Sequence, residues 1–210
     1  NQRSREYAVI KCIIFDLCDT IVRTAGVNGL DRLNSNPINI QKMNDWFHIN
    51  PSFKSYERGE INVSSFVDIF SAEFNIIDDK ETFCKNYESL VLHEIEGVEA
   101  MIRYWSERYP LYALSNNNPL LWNGIQKCCT ILDCFSGVFL SHETGLLKPE
   151  AEAFKSALDT IGCRPEEAIF VDDNPGCISA ARLLGIWSVR FDNTETVTKE
   201  IRNITKKQLA

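Results

Sequence analysis

Five short apolar runs, each ending at or just before a polar or charged residue, constrain this chain more than any other feature. They are residues 8–16 (AVIKCIIFD), 110–115 (PLYALS), 137–141 (GVFLS), 168–172 (AIFVD) and 187–191 (WSVRF). Runs of this length that do not alternate with polar residues are expected of strands buried on both faces. Helical patterns separate them. Over 97–109, Val98, Met101, Ile102 and Trp105 share a face. Pro149 fits the first turn of a following helix, in which Phe154, Ala157, Leu158 and Ile161 repeat at helical spacing. A third helix is expected from about 175 to Gly185, a residue suited to a C-terminal stop. Strands alternating with helices predict an α/β fold, a Rossmann-like parallel sheet with helices on both faces. Ligands of such sheets gather at the carboxyl ends of the strands. Here those ends carry Asp16, Ser115, Ser141, Asp172 and Asp173.

Residues 23–96 break the alternation and read as helices only. The expected helices are 39–48, then 62–75 with Val63, Phe66, Val67, Phe70 and Phe74 on one face, then 79–93 with Phe83, Tyr87, Leu90 and Val91. A helical insertion directly after the first strand is placed over that strand's carboxyl end, as a lid.

Charge narrows the partners. A net charge of -7 argues against a general nucleic-acid or membrane surface, which would favour excess Lys and Arg. No run approaches the ~20 apolar residues that span a bilayer, and the N-terminus lacks a signal-peptide core. The eight cysteines contain no C-x-x-C pair, and a chain of 210 residues does not need disulfide staples. Reduced thiols and a cytoplasmic location are therefore expected, and the sequons at Asn62 and Asn203 carry no meaning there.

Four blocks converge on the strand ends. They are Asp16 with the turn to Thr20, Ser115-Asn116, Lys148 in GLLKPE ahead of a helix, and Asp172-Asp173 in VDDN. Three carboxylates suit a hard cation such as Mg²⁺, whose remaining ligands are waters and phosphate oxygens. A lysine and a hydroxyl can hold the other oxygens of a phosphoryl group. An aspartate can attack phosphorus when nearby cations offset the charge repulsion.

In the order and spacing of these four blocks the chain resembles the haloacid dehalogenase-like (HAD) superfamily. The small-molecule phosphatase branch with a helical cap is the nearest likeness. YERGEI (56–61), LSNNN (114–118), LSHETGLLKPE (140–150) and IFVDDNPGCISAARLLGI (169–186) look like the subgroup containing sugar-phosphate phosphatases and the phosphatase-like domain of epoxide hydrolases. The resemblance implies a core of residues 1–22 and 97–210, a cap of 23–96, a Mg²⁺ cofactor and a small phosphorylated metabolite as substrate. It implies Asp16 as nucleophile and metal ligand, the backbone carbonyl of Cys18 as a second ligand, and Asp172 and Asp173 as the acidic metal site. Thr20 and Ser115 match phosphate-binding hydroxyls, Asn116 a helper beside them, and Lys148 the cation that ties nucleophile to phosphate.

Two departures stand out. Family phosphatases read D-x-D-G-T where this chain reads Asp16-Leu17-Cys18-Asp19-Thr20. The missing second aspartate normally protonates the leaving group and then activates water, a role worth about 10²–10⁴ in rate. A thiol beside carboxylates is a weak base and a poor substitute. Asp19 is expected to face away from Asp16, since neighbouring side chains on a strand point oppositely. Cys177 stands where Asp or Asn often braces the metal ligands, so Cys18 and Cys177 together would suit a redox-sensitive or soft-metal site. His48 and His93 read as cap surface residues. His142 lies close enough to the rim to touch substrate, and Arg58 is expected either to reach an anionic substrate or to pair with Glu57 or Glu60. Two other readings stay open: a non-catalytic HAD-fold binding protein, and a hydrolase of a non-phosphate substrate through an aspartyl ester.

Overall fold

The structure is a computed structural model that describes residues 9–35 and 39–206; Ala8, at the head of the first apolar run, lies outside them. The strands are β1 (Cys12–Phe15), β2 (Val22–Thr24), β3 (Val91–Glu94), β4 (Leu111–Ser115), β5 (Gly137–Leu140), β6 (Ala168–Asp172) and β7 (Trp187–Arg190). Between β2 and β3 lie α1 (Ile40–Ile49), α2 (Pro51–Glu57), α3 (Val63–Phe74) and α4 (Lys80–Glu88). Then follow α5 (Val98–Ser106), α6 (Pro119–Cys128), the short α7 (Ser141–Thr144), α8 (Ala151–Ile161), α9 (Pro175–Leu183) and α10 (Thr194–Lys206).

Five strands form a parallel sheet in the order β5-β4-β1-β6-β7. From central β1 the chain builds outward through β4 and β5, then returns to build β6 and β7 on the other side. The strand order therefore reverses at β1, where an open parallel sheet leaves a crevice for ligands. β1 has no polar residue because both its faces are covered. Ile13 and Phe15 pack with Met101, Ile102 and Trp105 of α5 and with Val197 and Ile201 of α10. Cys12 and Ile14 face Phe154 and Leu158 of α8 and Ile178 and Ala181 of α9. Burying a side chain the size of Phe15 contributes about 1.5–3 kcal/mol, so a charge placed anywhere in this strand would break the layer it faces. No helix among the described residues is long and apolar enough to cross a membrane.

The helices between β2 and β3 share a separate aromatic cluster that includes Trp46, Phe66, Phe70 and Phe83, with Tyr56 stacked on Phe66 at 4.0 Å. Leu120 of α6 is part of that cluster, which ties the helical layer to the sheet layer. Gly124, one turn on, permits this approach: a Cβ there would lie 2.5 Å from the Glu88 carbonyl oxygen. Glu88 in turn accepts from Lys127 and Asn123 of α6.

Four details differ from the sequence expectations. Residues 23–96 are not all helical, because β2 and β3 pair antiparallel as a ribbon where the chain leaves the sheet layer and returns to it. Leu90 and Val91 continue the apolar spacing of Phe83 and Tyr87, but α4 ends at Glu88 and Val91 begins β3. A helix α2 is also present, with Asn50 capping the Ser52 N–H at 2.8 Å and Pro51 at its first position; the Asn-Pro pair is its signal in the sequence. Finally, Pro149 follows a cis peptide bond in the turn before α8 rather than occupying the helix.

Candidate active site

β1 ends at Phe15, yet the Asp16 N–H still donates to the Val171 carbonyl at 2.8 Å, so the sheet fixes this residue in place. The chain then turns on the Leu17 carbonyl, which accepts from Ile21 and Val22 at 2.8 and 3.0 Å. Asp19 takes the left-handed conformation within this turn, with φ 56. Most side chains are strained there, while Gly, Asn and Asp adopt it more readily. Its carboxylate accepts from the Thr24 hydroxyl at 2.7 Å, the Thr24 N–H at 3.1 Å and Arg23 at 3.3 Å. Asp19 is thus directed to the β2 ribbon.

β6 and the turn before α8 supply the facing groups. Lys148 is buried, and its Nζ lies 2.8 Å from Asp16 Oδ1 and 2.6 Å from Asp172 Oδ2. Asp172 also accepts the Asn174 N–H at 2.7 Å, while the Asn174 side chain caps α9. Ligand oxygens of Asp16, Asp172 and Asp173 all lie within 4.8 Å of one another. Burial pushes the Asp16 carboxyl up to about 7, with Lys148 opposing and Asp172 adding to the rise. Burial and the Asp172 charge also raise Asp173. Lys148 is held above its ordinary value because Asp16 and Asp172 together outweigh the burial that would lower it.

Three carboxylates around one ammonium leave uncompensated negative charge at a buried place, which is costly unless a cation joins them. The donors are all oxygens, the preference of Mg²⁺. Thr20 Oγ1 adds a second fitting feature: it is buried and has no hydrogen-bond partner. Ser115 Oγ reaches the Asn116 carbonyl at 3.5 Å, a long and weak bond, so its hydroxyl is also largely uncommitted. The residues present therefore fit a divalent cation with an oxyanion beside it.

Other residues are placed differently from expectation. Asn116 spends both ends of its amide on the Lys148 backbone, accepting the N–H at 2.8 Å and donating to the carbonyl at 2.7 Å. Ser141 exchanges two 2.9 Å bonds with the Asn117 backbone. Arg58 binds the Gly145 carbonyl at 2.7 Å and pairs with Glu150, instead of Glu57 or Glu60. The thiol pair in contact is Cys12 with Cys163, sulfurs 3.4 Å apart, at the other end of β1. Cys177 instead donates to Asp172, and burial pushes its thiol up to about 12. Burial and the Asp16 charge hold the Cys18 thiol well above its ordinary value.

Two cavities open here between the helical layer and the sheet. One, about 410 Å³, has Cys18 and Asn116 at its base and Leu30, Phe47, Phe53 and Leu121 in its walls. The other, about 480 Å³, is lined by Lys148, Lys54 and Glu57. Phe47, Phe53, His48 and Asn116 line both. His48, read from the sequence as a cap surface residue, is exposed and lines both cavities, a position that α1 alone does not reveal. His142 lines neither cavity.

A family model described as haloacid dehalogenase-like hydrolase matches residues 10–185. A crystal structure of a HAD family enzyme from Bacteroides thetaiotaomicron, in complex with magnesium and inorganic phosphate, superposes with a TM-score of 0.76. It is 22% identical, with 87% of this chain and 94% of that chain covered. The chain is 23% identical to D-ribitol-5-phosphate phosphatase of the same organism, over 88% of this chain and 93% of that protein. It is 29% identical to bifunctional epoxide hydrolase 2 of Mus musculus over 40% of this chain, and the match spans only 15% of that relative's length. Because the family match covers most of the chain, from the approach to β1 to the turn after α9, the chain belongs to the haloacid dehalogenase-like hydrolase family.

Proposed function

We propose that this chain is a Mg²⁺-dependent phosphohydrolase that acts on a small phosphorylated metabolite through an aspartyl-phosphate on Asp16. The observation that carries the reading is the shared ammonium: Lys148 bridges Asp16 and Asp172 at 2.8 and 2.6 Å, with Asp173 alongside. The comparisons with a phosphatase and with a magnesium–phosphate complex support it. Residues 1–22 and 97–210 form the catalytic core in this reading and 23–96 the cap, in a cytoplasmic enzyme.

Asp16, Asp172, Asp173 and the Cys18 carbonyl would hold Mg²⁺. When bound, the cation screens the charge between the nucleophile and the phosphoryl oxygens. Lys148 opposes the burial that would protonate Asp16, aims its carboxylate, and presents its charge to the phosphoryl group. Thr20 and Ser115 donate their uncommitted hydroxyls to it. One Asp16 oxygen attacks phosphorus and the bond to the leaving oxygen breaks; water then cleaves the acyl phosphate, returning Asp16 and releasing phosphate.

A second reading, a HAD-fold protein that binds a phosphorylated ligand without turnover, is favoured by one observation. Cys18 occupies the place of the acid/base carboxylate, and Asp19 is committed to Thr24 and Arg23. A phosphatase panel with Mg²⁺, run on wild type, Asp16→Asn and Cys18→Asp, separates the two. Turnover in wild type that Asp16→Asn abolishes supports the enzyme; turnover that appears only in Cys18→Asp supports the binding protein.

A further inference from the structure

The 410 Å³ cavity above Cys18 lies within the size range of small-molecule sites. Its walls are unlike those a polyol needs. Leu30, Leu90 and Leu121 face it beside Phe47, Phe53 and Tyr87. Phe47 and Phe53 meet edge to face with centroids 4.8 Å apart. Phe47 is only half-buried although its aromatic neighbours Trp46, Phe53 and Phe70 are buried, and Val27 at the same cavity is 44% exposed. Apolar surface has thus been left uncovered directly over the reacting end of the site. Asn44 and His48 line the cavity too, but a sugar chain there would still set most of its hydroxyls against carbon and lose the water around them. An aromatic ring would cover the exposed faces of Phe47 and Val27 and stack in the geometry these rings prefer.

The chemistry at the cavity floor selects in the same direction. Cys18 lines this cavity at the position where a proton donor to the leaving oxygen would be, and it offers a thiol rather than a carboxyl group. Asp19, the neighbouring carboxylate, is held by Thr24 and Arg23. With neither Cys18 nor Asp19 supplying a proton, the leaving group departs as its anion in this reading. A phenol, with a pKa near 10, does so far more readily than an aliphatic alcohol, whose acidity is closer to that of water at about 15.7.

Resting on the phosphohydrolase reading above, we propose that the substrate is an aryl phosphate monoester, its ring held in the cavity walled by Phe47, Phe53 and Leu121. In the first step an Asp16 oxygen bonds to phosphorus, the phosphorus–aryl oxygen bond breaks, and the aryl oxide leaves with the electron pair and takes a proton from solvent. In the second, water attacks the same phosphorus and the bond to Asp16 breaks. Its proton goes to solvent, leaving inorganic phosphate and the free carboxylate.

The test compares phenyl phosphate, acetyl phosphate and D-ribitol 5-phosphate with Mg²⁺. Acetyl phosphate has a good leaving group but no ring, and ribitol phosphate has neither. Wild type is expected to prefer phenyl over ribitol phosphate by at least about 100-fold in kcat/KM, the scale of a missing general acid. Cys18→Asp should narrow that gap. Phe47→Ala, and independently Val27→Glu at the exposed rim, should lower the phenyl-to-acetyl ratio by about tenfold, as for lost apolar contacts in a pocket. Equal or better turnover of ribitol phosphate overturns the proposal, as does a phenyl-to-acetyl ratio untouched by both variants. Those failures leave the phosphohydrolase reading standing if acetyl phosphate is turned over and Asp16→Asn abolishes it. Absence of turnover on all three substrates overturns this proposal, and the phosphohydrolase reading falls with it when the phosphatase panel is also negative.

Discussion

Asn116 and Lys148 are 32 residues apart and grip each other through two hydrogen bonds, one in each direction between the Asn116 amide and the Lys148 backbone. The Lys148 side chain then reaches down to Asp16 and Asp172. Asn116 is therefore expected to act as a positioning residue, through the place of the ammonium. Asn116→Ala should lower kcat by about 10–100-fold, as expected when a charged group is displaced by around 1 Å. KM should change less, and the melting temperature should stay near that of wild type. A loss of activity that only follows a loss of folded protein would refute the positioning role.

How much of this was readable beforehand depends on how local each feature is. Asp16, Asp172 and Lys148 announce themselves because each adjoins an apolar run or a helix start, and the sheet then brings those ends together. The β2–β3 ribbon is invisible for the opposite reason. Its strands have three and four residues and pair Arg23 with His93, so the pairing depends on where the intervening chain folds. Asn116 could be placed at the rim but not assigned its partner, since that partner is backbone in a distant turn. Phe47 and His48 follow no distinct pattern from the rest of α1; their role comes from how the helical layer meets the sheet, through Leu120, Gly124 and Arg58.

Asp19→Asn is expected to leave turnover within a few-fold of wild type, whereas Asp16→Asn abolishes it. The asparagine keeps an acceptor for the Thr24 N–H and tolerates the left-handed backbone that Asp19 adopts. Steady-state rates on phenyl and acetyl phosphate decide this. A drop as large as that for Asp16→Asn would make Asp19 the missing acid/base.

Mg²⁺ should raise the melting temperature, because a ligand held only by the folded state stabilises it by mass action, about 2.7 kcal/mol at 100 times Kd. Asp173→Asn removes one of the three clustered carboxylates without disturbing the Lys148 bridge, and should abolish most of the shift. Thermal melts across a Mg²⁺ titration, with Ca²⁺ in parallel, measure it. An equal shift in wild type and variant would place the ion elsewhere.

The helical layer meets the sheet layer closely at Gly59. Its φ is +70, and a Cβ would lie 2.1 Å from the His142 carbonyl oxygen. Gly145 has a similar φ of +74 but open space around it. Gly145→Ala should therefore cost only the left-handed strain, about 1–2 kcal/mol. Gly59→Ala should cost more, because backbone must also move, and activity should fall as the cap is displaced. Urea denaturation of both variants isolates the contact; equal losses would show that the layers yield there freely.

Glu57, at the end of α2 beside the second cavity, supplies a pH test away from the carboxylate cluster. Burial pushes its carboxyl up to about 7 from an ordinary 4.5, against the pull of Lys54 and Arg58. The folded state thus binds this proton more tightly than the unfolded chain does. The resulting stability is fully present below about pH 4.5 and is lost as the pH rises through 7. Glu57→Gln keeps the neutral shape at every pH. It should melt with wild type near pH 4.5 and above it at pH 8, with each kcal/mol worth roughly 2–4 °C in a domain of this size. Melting curves of the two proteins from pH 4.5 to 8 give the difference directly, and a gap that stays constant or closes with rising pH would mean that Glu57 is ionised without penalty.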